Sequence, residues 1–195
     1  MERITQADLV DNTKYESIRE EFRRDIMEHK AHRRVQVGPD ISLTFEDRRT
    51  VIFQIQEMMR AEGLDTDEAI QDEIDVYNTL LPKGAELSAT LFIEITDAAL
   101  IKERLHQFLG LADGKSLWLA VGAEKSYGQF EAGRSKDDQI SSVHYVRFPL
   151  STAAREGLGD AGGPAKICIA HGDYRHETSL APDVRAALAG DLPAT

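Results

Sequence analysis

The sequence predicts an α+β fold, in which a helical N-terminal half, one helix plus an antiparallel helix pair, packs on a mostly antiparallel sheet from the C-terminal half. Three observations predict it. Up to Pro82 the apolar residues recur at helical spacing, and after Pro82 they alternate at the period of a strand. The strand-like runs are short and separated by Gly-containing turns, which pairs neighbours in sequence antiparallel. Hydrophobic residues at 42% and charged residues at 29% are the balance of a chain that buries a core. A length of 195 residues suits a single domain, with its helical part about 1–82 and its sheet part about 83–195.

In chain order, 13–34 reads as a long charged helix whose Tyr15, Ile18, Phe22 and Ile26 form one stripe, and Gly38-Pro39-Asp40 turns a small hairpin over 35–45. Glu46 to Glu62 is a second helix with Val51, Ile52, Ile55, Met58 and Met59 on one side, stopped by Gly63. Asp65 can cap a third helix that runs to Leu81, where Pro82 ends it. Strands follow over 87–95, over SLWLAVG and YGQFEAG about Gly122, over 141–150 and twice within 166–180. Asp97 caps a helix through Leu109, and Pro182 opens a short C-terminal one. The Gly-, Ala- and Ser-rich segment 151–165 reads as a loop.

Composition excludes several function classes. The net charge of −11 repels polyanions and argues against nucleic acid as a partner. The cluster Arg23, Arg24, Lys30, Arg33, Arg34, Arg48 and Arg49 reads as a solvated helix face laced with ion pairs, because no Gly-rich phosphate loop accompanies it. No apolar run is long enough to span a bilayer and no signal-peptide pattern opens the chain, so a cytoplasmic protein is expected. One cysteine forms no internal disulfide and rules out a four-cysteine metal site within one chain.

Three places hold candidate chemistry. In KICIAHGDYRHETSL a two-residue turn at Gly172-Asp173 pairs His171 with Tyr174 and Ile169 with His176, placing His171, Tyr174 and His176 on one face and Cys168 on the other. The two histidines are then candidate metal ligands, although two ligands without a third fit an ordinary polar sheet face better. Asp25, His29 and His32 line one side of the first helix, where a solvated face is the expectation, and His144 alternates with Val146 and Phe148 as a core histidine. If the second and third helices fold back on each other, Gln54, Glu57, Arg60, Glu73 and Tyr77 form a partly buried polar cluster. Its paired carboxylates Glu57 and Glu73 either hold a metal or are neutralised by Arg60 in a structural network.

Taken together, VIFQIQEMMRAEG, VYNTLLPKGAELSATLFIEI, SSVHYVRFPL and HGDYRHETSL resemble an uncharacterised bacterial family known as domain of unknown function thirty-five-oh-one. The resemblance covers nearly the whole chain and names no cofactor, ligand set or reaction. It implies a setting: members are often encoded beside a rubrerythrin-like protein and an iron-sulfur oxidoreductase. The expectation is therefore an accessory protein of peroxide or redox stress that docks to such partners through its acidic surface, with self-association possible. The rival expectation is a metal-binding protein or metal-dependent enzyme using the His or Glu positions above.

Overall fold

The structure is a computed structural model that describes residues 1–113, 115–131, 135–136, 139–160 and 162–193. Its architecture is α+β, as expected, but the strands divide among a five-stranded sheet, a four-stranded sheet and a separate two-stranded pair. Helix α1 spans Asn12–Ala31, with Asp11 accepting from the Lys14 amide as its N-cap. A hairpin follows, β1 (Arg34–Val37) and β2 (Ile41–Phe45). Helix α2 (Arg48–Glu62) starts two residues later than the periodicity suggests, because Asp47 and Thr50 close a reciprocal cap, and it ends at Gly63 in the left-handed region. Helix α3 (Asp67–Tyr77) is capped by Thr66 instead of Asp65, and a 3-10 turn carries the helical path on to Leu80.

Strand β3 (Glu86–Ile93) leads to the short helix α4 (Ile101–His106), then to β4 (Leu117–Val121), β5 (Glu124–Tyr127) and β6 (Gln129–Phe130). Residues 132 and 133 of the strand expected over YGQFEAG lie outside the described residues. The pair β7 (Ser135–Lys136) and β8 (Gln139–Ile140) precedes β9 (Val143–Pro149). The segment expected to be a loop contains helix α5 (Thr152–Gly159), capped by Ser151 and burying Ala154 and Leu158. Its glycines and alanines mask a correctly spaced apolar face; Ala161 of that segment is outside the described residues. Strands β10 (Ala165–His171) and β11 (Tyr174–Ser179) and helix α6 (Pro182–Gly190) complete the chain.

The five-stranded sheet has the order β1-β2-β3-β9-β6 and the four-stranded sheet β11-β10-β4-β5, while β7 pairs only with β8, every ladder antiparallel. The hairpin of the N-terminal half thus joins the sheet of the C-terminal half. Inner faces of the two sheets meet in the main core, where Leu43, Phe45, Leu91, Leu119, Phe148 and Ile167 are fully buried. Phe108 closes one end of this core near His171, and Ala154, Leu158, Val184 and Leu188 close the end near Val121. The chain crosses from one sheet to the other at Gly128, where an added Cβ would lie 2.8 Å from Val146 Cγ1. A second apolar cluster, Val51, Ile55, Met59, Ile74 and Leu80, lies within the helical layer and reaches the outer face of the five-stranded sheet at Tyr145. The resulting layers are helices, five-stranded sheet, core and four-stranded sheet, whose far side carries no helix among the described residues.

Candidate functional site

The hairpin has the expected register, with His171 opposite Tyr174, Ala170 opposite Arg175 and Ile169 opposite His176. His171, Tyr174 and His176 point inward and Cys168 outward. The β1–β2 turn closes over that inward face. Tyr174 donates its hydroxyl to the Val37 carbonyl at 2.6 Å and accepts from the Asp40 and Ile41 amides at 3.1 and 3.2 Å. Its ring packs 4.5 Å from the His176 ring and 5.0 Å from that of Phe108. Gly38, at φ +75°, leaves room for this contact, since a Cβ there would come within 2.5 Å of both His176 and Tyr174. His171 stacks on Phe108 with the ring centres 6.5 Å apart. Among the described residues no group of three or more His, Cys, Asp or Glu is placed to hold a metal ion.

The cluster expected between α2 and α3 is divided. Glu57 turns towards α1, accepting from Arg19 Nε and Nη2 at 2.8 Å each and from the Tyr15 hydroxyl at 2.6 Å. The Arg19 hydrogen bonds are the largest influence on its carboxyl, whose pKa falls to about 2. Arg60 reaches Glu16 at 3.7 Å instead of neutralising Glu57 and Glu73 by direct contact. Glu73 remains near Glu62, and burial followed by that like charge pushes its pKa up. Tyr77 faces the sheet, where burial is the main cause raising its hydroxyl to about 12. Gln54 donates to Glu46 at 3.0 Å. Helical spacing identifies which residues share a face; here the face of α2 bearing Glu57 packs on α1, not α3.

Glu46 is the residue that sequence reasoning missed. It is only 3% exposed, between the sheet and α2, with Thr90 Oγ1 2.5 Å from one carboxyl oxygen and Thr50 Oγ1 2.5 Å from the other. Burial outweighs these hydrogen bonds and raises its pKa, while burial lowers that of nearby Lys30. The signal was present in the alternation Ser42, Thr44, Glu46 against Ile41, Leu43, Phe45. It makes a polar outer face, which the helices then cover. A groove of about 310 Å³ opens farther along the same sheet face, floored by Ser88, Gln129, Tyr145 and Arg147. Arg147 is occupied there by Glu86 and the Thr79 carbonyl.

His29 of α1 and His32 at its C-cap also go to separate acids. His29 meets Asp47 at 2.6 Å, and His32 meets Asp183 at 2.8 Å. Arg33 bridges Asp47 and Asp191 at 2.9 and 2.6 Å. Arg34 pairs with Glu94 and Arg48 with Asp8, at 2.6 and 2.5 Å. Of the basic cluster, these pairs bury Arg33 and hold Arg34 and Arg48 against acids nearer the surface.

Charge is uneven over the surface. From 61 to 82 the chain has seven acidic residues, Glu62, Asp65, Asp67, Glu68, Asp72, Glu73 and Asp75, and no Lys or Arg. Most of them project from α3 into solvent, together with Val76, which is 61% exposed. The far side of the four-stranded sheet carries the opposite sign, through Lys115, Lys125, Lys166 and Arg175.

No curated protein matches the chain. A crystal structure described as a novel protein of unknown function from Burkholderia pseudomallei K96243 is similar over 98% of this chain and 100% of its own, with a TM-score of 0.90 and 32% identity. The family described as "Protein of unknown function (DUF3501)" matches residues 3–192, and the chain belongs to it.

Proposed function

We propose that the protein is an accessory that docks on a redox partner through the acidic outer surface of α3. The observation that carries this reading is the segment 61–82, which has seven acids and no Lys or Arg, around the exposed Val76. An exposed apolar residue flanked mainly by acids, with Arg3 pairing Asp75 at one side, suits recognition of a basic partner surface, with the charges steering encounter and the apolar contact slowing release. Cytoplasmic rubrerythrin-like and iron-sulfur oxidoreductase proteins, acting in peroxide or redox stress, are the proposed partners, on the family's genomic setting.

The test is capture from native lysate on the immobilised protein at low and at high salt. At low salt a rubrerythrin-like or iron-sulfur protein is expected, released as salt rises above about 0.15 M, where the Debye length falls to about 8 Å. The double variant Glu68→Lys with Asp72→Lys, both side chains exposed, is expected to lose that partner. Recovery of neither protein class, or equal recovery by the variant, overturns the reading.

A further inference from the structure

We infer that the outer face of the four-stranded sheet is a second docking surface, built for a carboxylate-rich segment of a partner protein. Strand alternation turns Lys125 and Tyr127 of β5, Trp118 of β4, Cys168 and Lys166 of β10, and Arg175 and Glu177 of β11 to the same side. Four cations, counting Lys115, stand there against the single acid Glu177 among the described residues, on a chain whose net charge is −11. Only one of them is tied to that acid, Lys166 at 2.7 Å. No helix covers this side among the described residues, and the long side chains shield Ala120 and Cys168 to 8% and 3% exposure.

The choice of occupant follows from two features. Lys125 Nζ lies 5.2 Å from the centre of the Trp118 ring, and Lys115 Nζ lies 5.2 Å from that of Tyr127. Unpaired nucleotide bases need bare ring faces for stacking, whereas here each ring already holds an ammonium group above it. A ring so placed fixes the ammonium by cation–π attraction and leaves its remaining N–H donors for carboxylates. The second feature excludes a further copy of this chain as the natural occupant. The acidic helix α3 and this basic face lie on opposite sides of the layered fold, so joining one to the other repeats head to tail and does not close into a dimer. A partner that supplies its own acidic segment meets no such problem. Together with the α3 face proposed above, this would give two docking faces of opposite sign, the arrangement of an adapter that bridges two proteins. The inference rests on the sheet face alone and does not require the reading proposed for α3.

Trp118, the only tryptophan of the chain, reports on this face directly. The experiment titrates the full-length protein with an oligoglutamate peptide at low salt and follows tryptophan emission, with oligothymidylate in a parallel arm and sedimentation velocity to record association state. Oligoglutamate is expected to shift the emission saturably, with affinity falling as salt rises. Lys125→Glu with Arg175→Glu is expected to weaken it roughly tenfold or more, both positions being exposed and their loss harmless to the fold. The acidic-face variant Glu68→Lys with Asp72→Lys should bind the peptide as the wild type does. The proposal is overturned by an absence of binding at low salt, by equal binding in the Lys125/Arg175 variant, by tighter binding of oligothymidylate, or by a salt-sensitive ladder of self-associated species. Because no lysate protein is involved, failure here leaves the α3 reading standing, and failure of the capture experiment leaves this one standing.

Discussion

Glu57 and Glu46 show how far environment separates two glutamates that lie eleven positions apart in one segment. Glu57 is held by Arg19 and Tyr15, and its folded pKa of about 2 lies below the ordinary 4.5. Stability from this site is therefore fully present above about pH 4.5 and lost as pH falls towards 2. Glu57→Gln should flatten the acid side of the melting-temperature profile across that window. Tyr15→Phe removes one hydrogen bond to a charged group and should cost about 1–2 kcal/mol in urea unfolding. Arg60→Met should shift stability by less than about 0.5 kcal/mol, since Arg60 makes only a long contact at the surface. Glu46 behaves oppositely. Its folded pKa is raised, so its contribution is complete below 4.5 and declines as pH rises through the folded value. The melting temperature of Glu46→Gln relative to the wild type should thus climb as pH rises above the ordinary carboxylate value of 4.5; a flat difference would show that burial does not penalise this carboxylate.

Elements were legible where two independent signals agreed. At 166–180 the alternation and the Gly172-Asp173 turn give one register, and the structure has it. Along α5 they conflicted: glycine and alanine suggested a loop, while Ser151 followed by Ala154 and Leu158 marked a capped helix with a buried face. Small residues are needed here because the helix packs tightly against the sheet end, where a Cβ on Gly157 would lie 2.9 Å from Val121 Cγ1. Replacing the cap, Ser151→Ala, should cost about 1 kcal/mol, measured by thermal melting. The polar cluster was illegible for a different reason. Periodicity gives the residues on each face of α2, but which neighbouring helix takes which face depends on the crossing of three helices, and no local signal encodes that. Likewise, alternation along β2 marked Glu46 as opposite to Phe45 without saying that α2 would cover it.

At the scale of the molecule, the two ends of the chain are joined through one guanidinium. Arg33, only 5% exposed, links the end of α1 to Asp47 at the cap of α2 and to Asp191 just past α6. Arg33→Met leaves two buried carboxylates without their shared cation and should destabilise the fold by about 3–5 kcal/mol. Adding Asp191→Asn should restore part of the loss, by the logic of a double-mutant cycle. Hydrogen exchange should show α6 opening first in the single variant; protection retained there would mean that apolar packing of Val184 and Leu188 suffices to hold it. Among the described residues no helix is long and apolar enough to cross a membrane. Within the net charge of −11, the segment 61–82 is acidic without a Lys or Arg, while the outer face of the four-stranded sheet is locally basic.

The Tyr174 hydroxyl has a consequence in time as well as in space. It satisfies the Val37 carbonyl and the Asp40 and Ile41 amides across sequence separations of 137, 134 and 133 residues. On a ribosome adding about 5–20 residues per second, the first hairpin emerges many seconds before the residue that closes over its turn. Through that interval the backbone groups of the turn have only water, and the β1 edge, which later lies beside β11, is open to foreign strands. Released chains that end before residue 174 should therefore be markedly more prone to aggregation and to protease cleavage at 37–41 than the full-length chain.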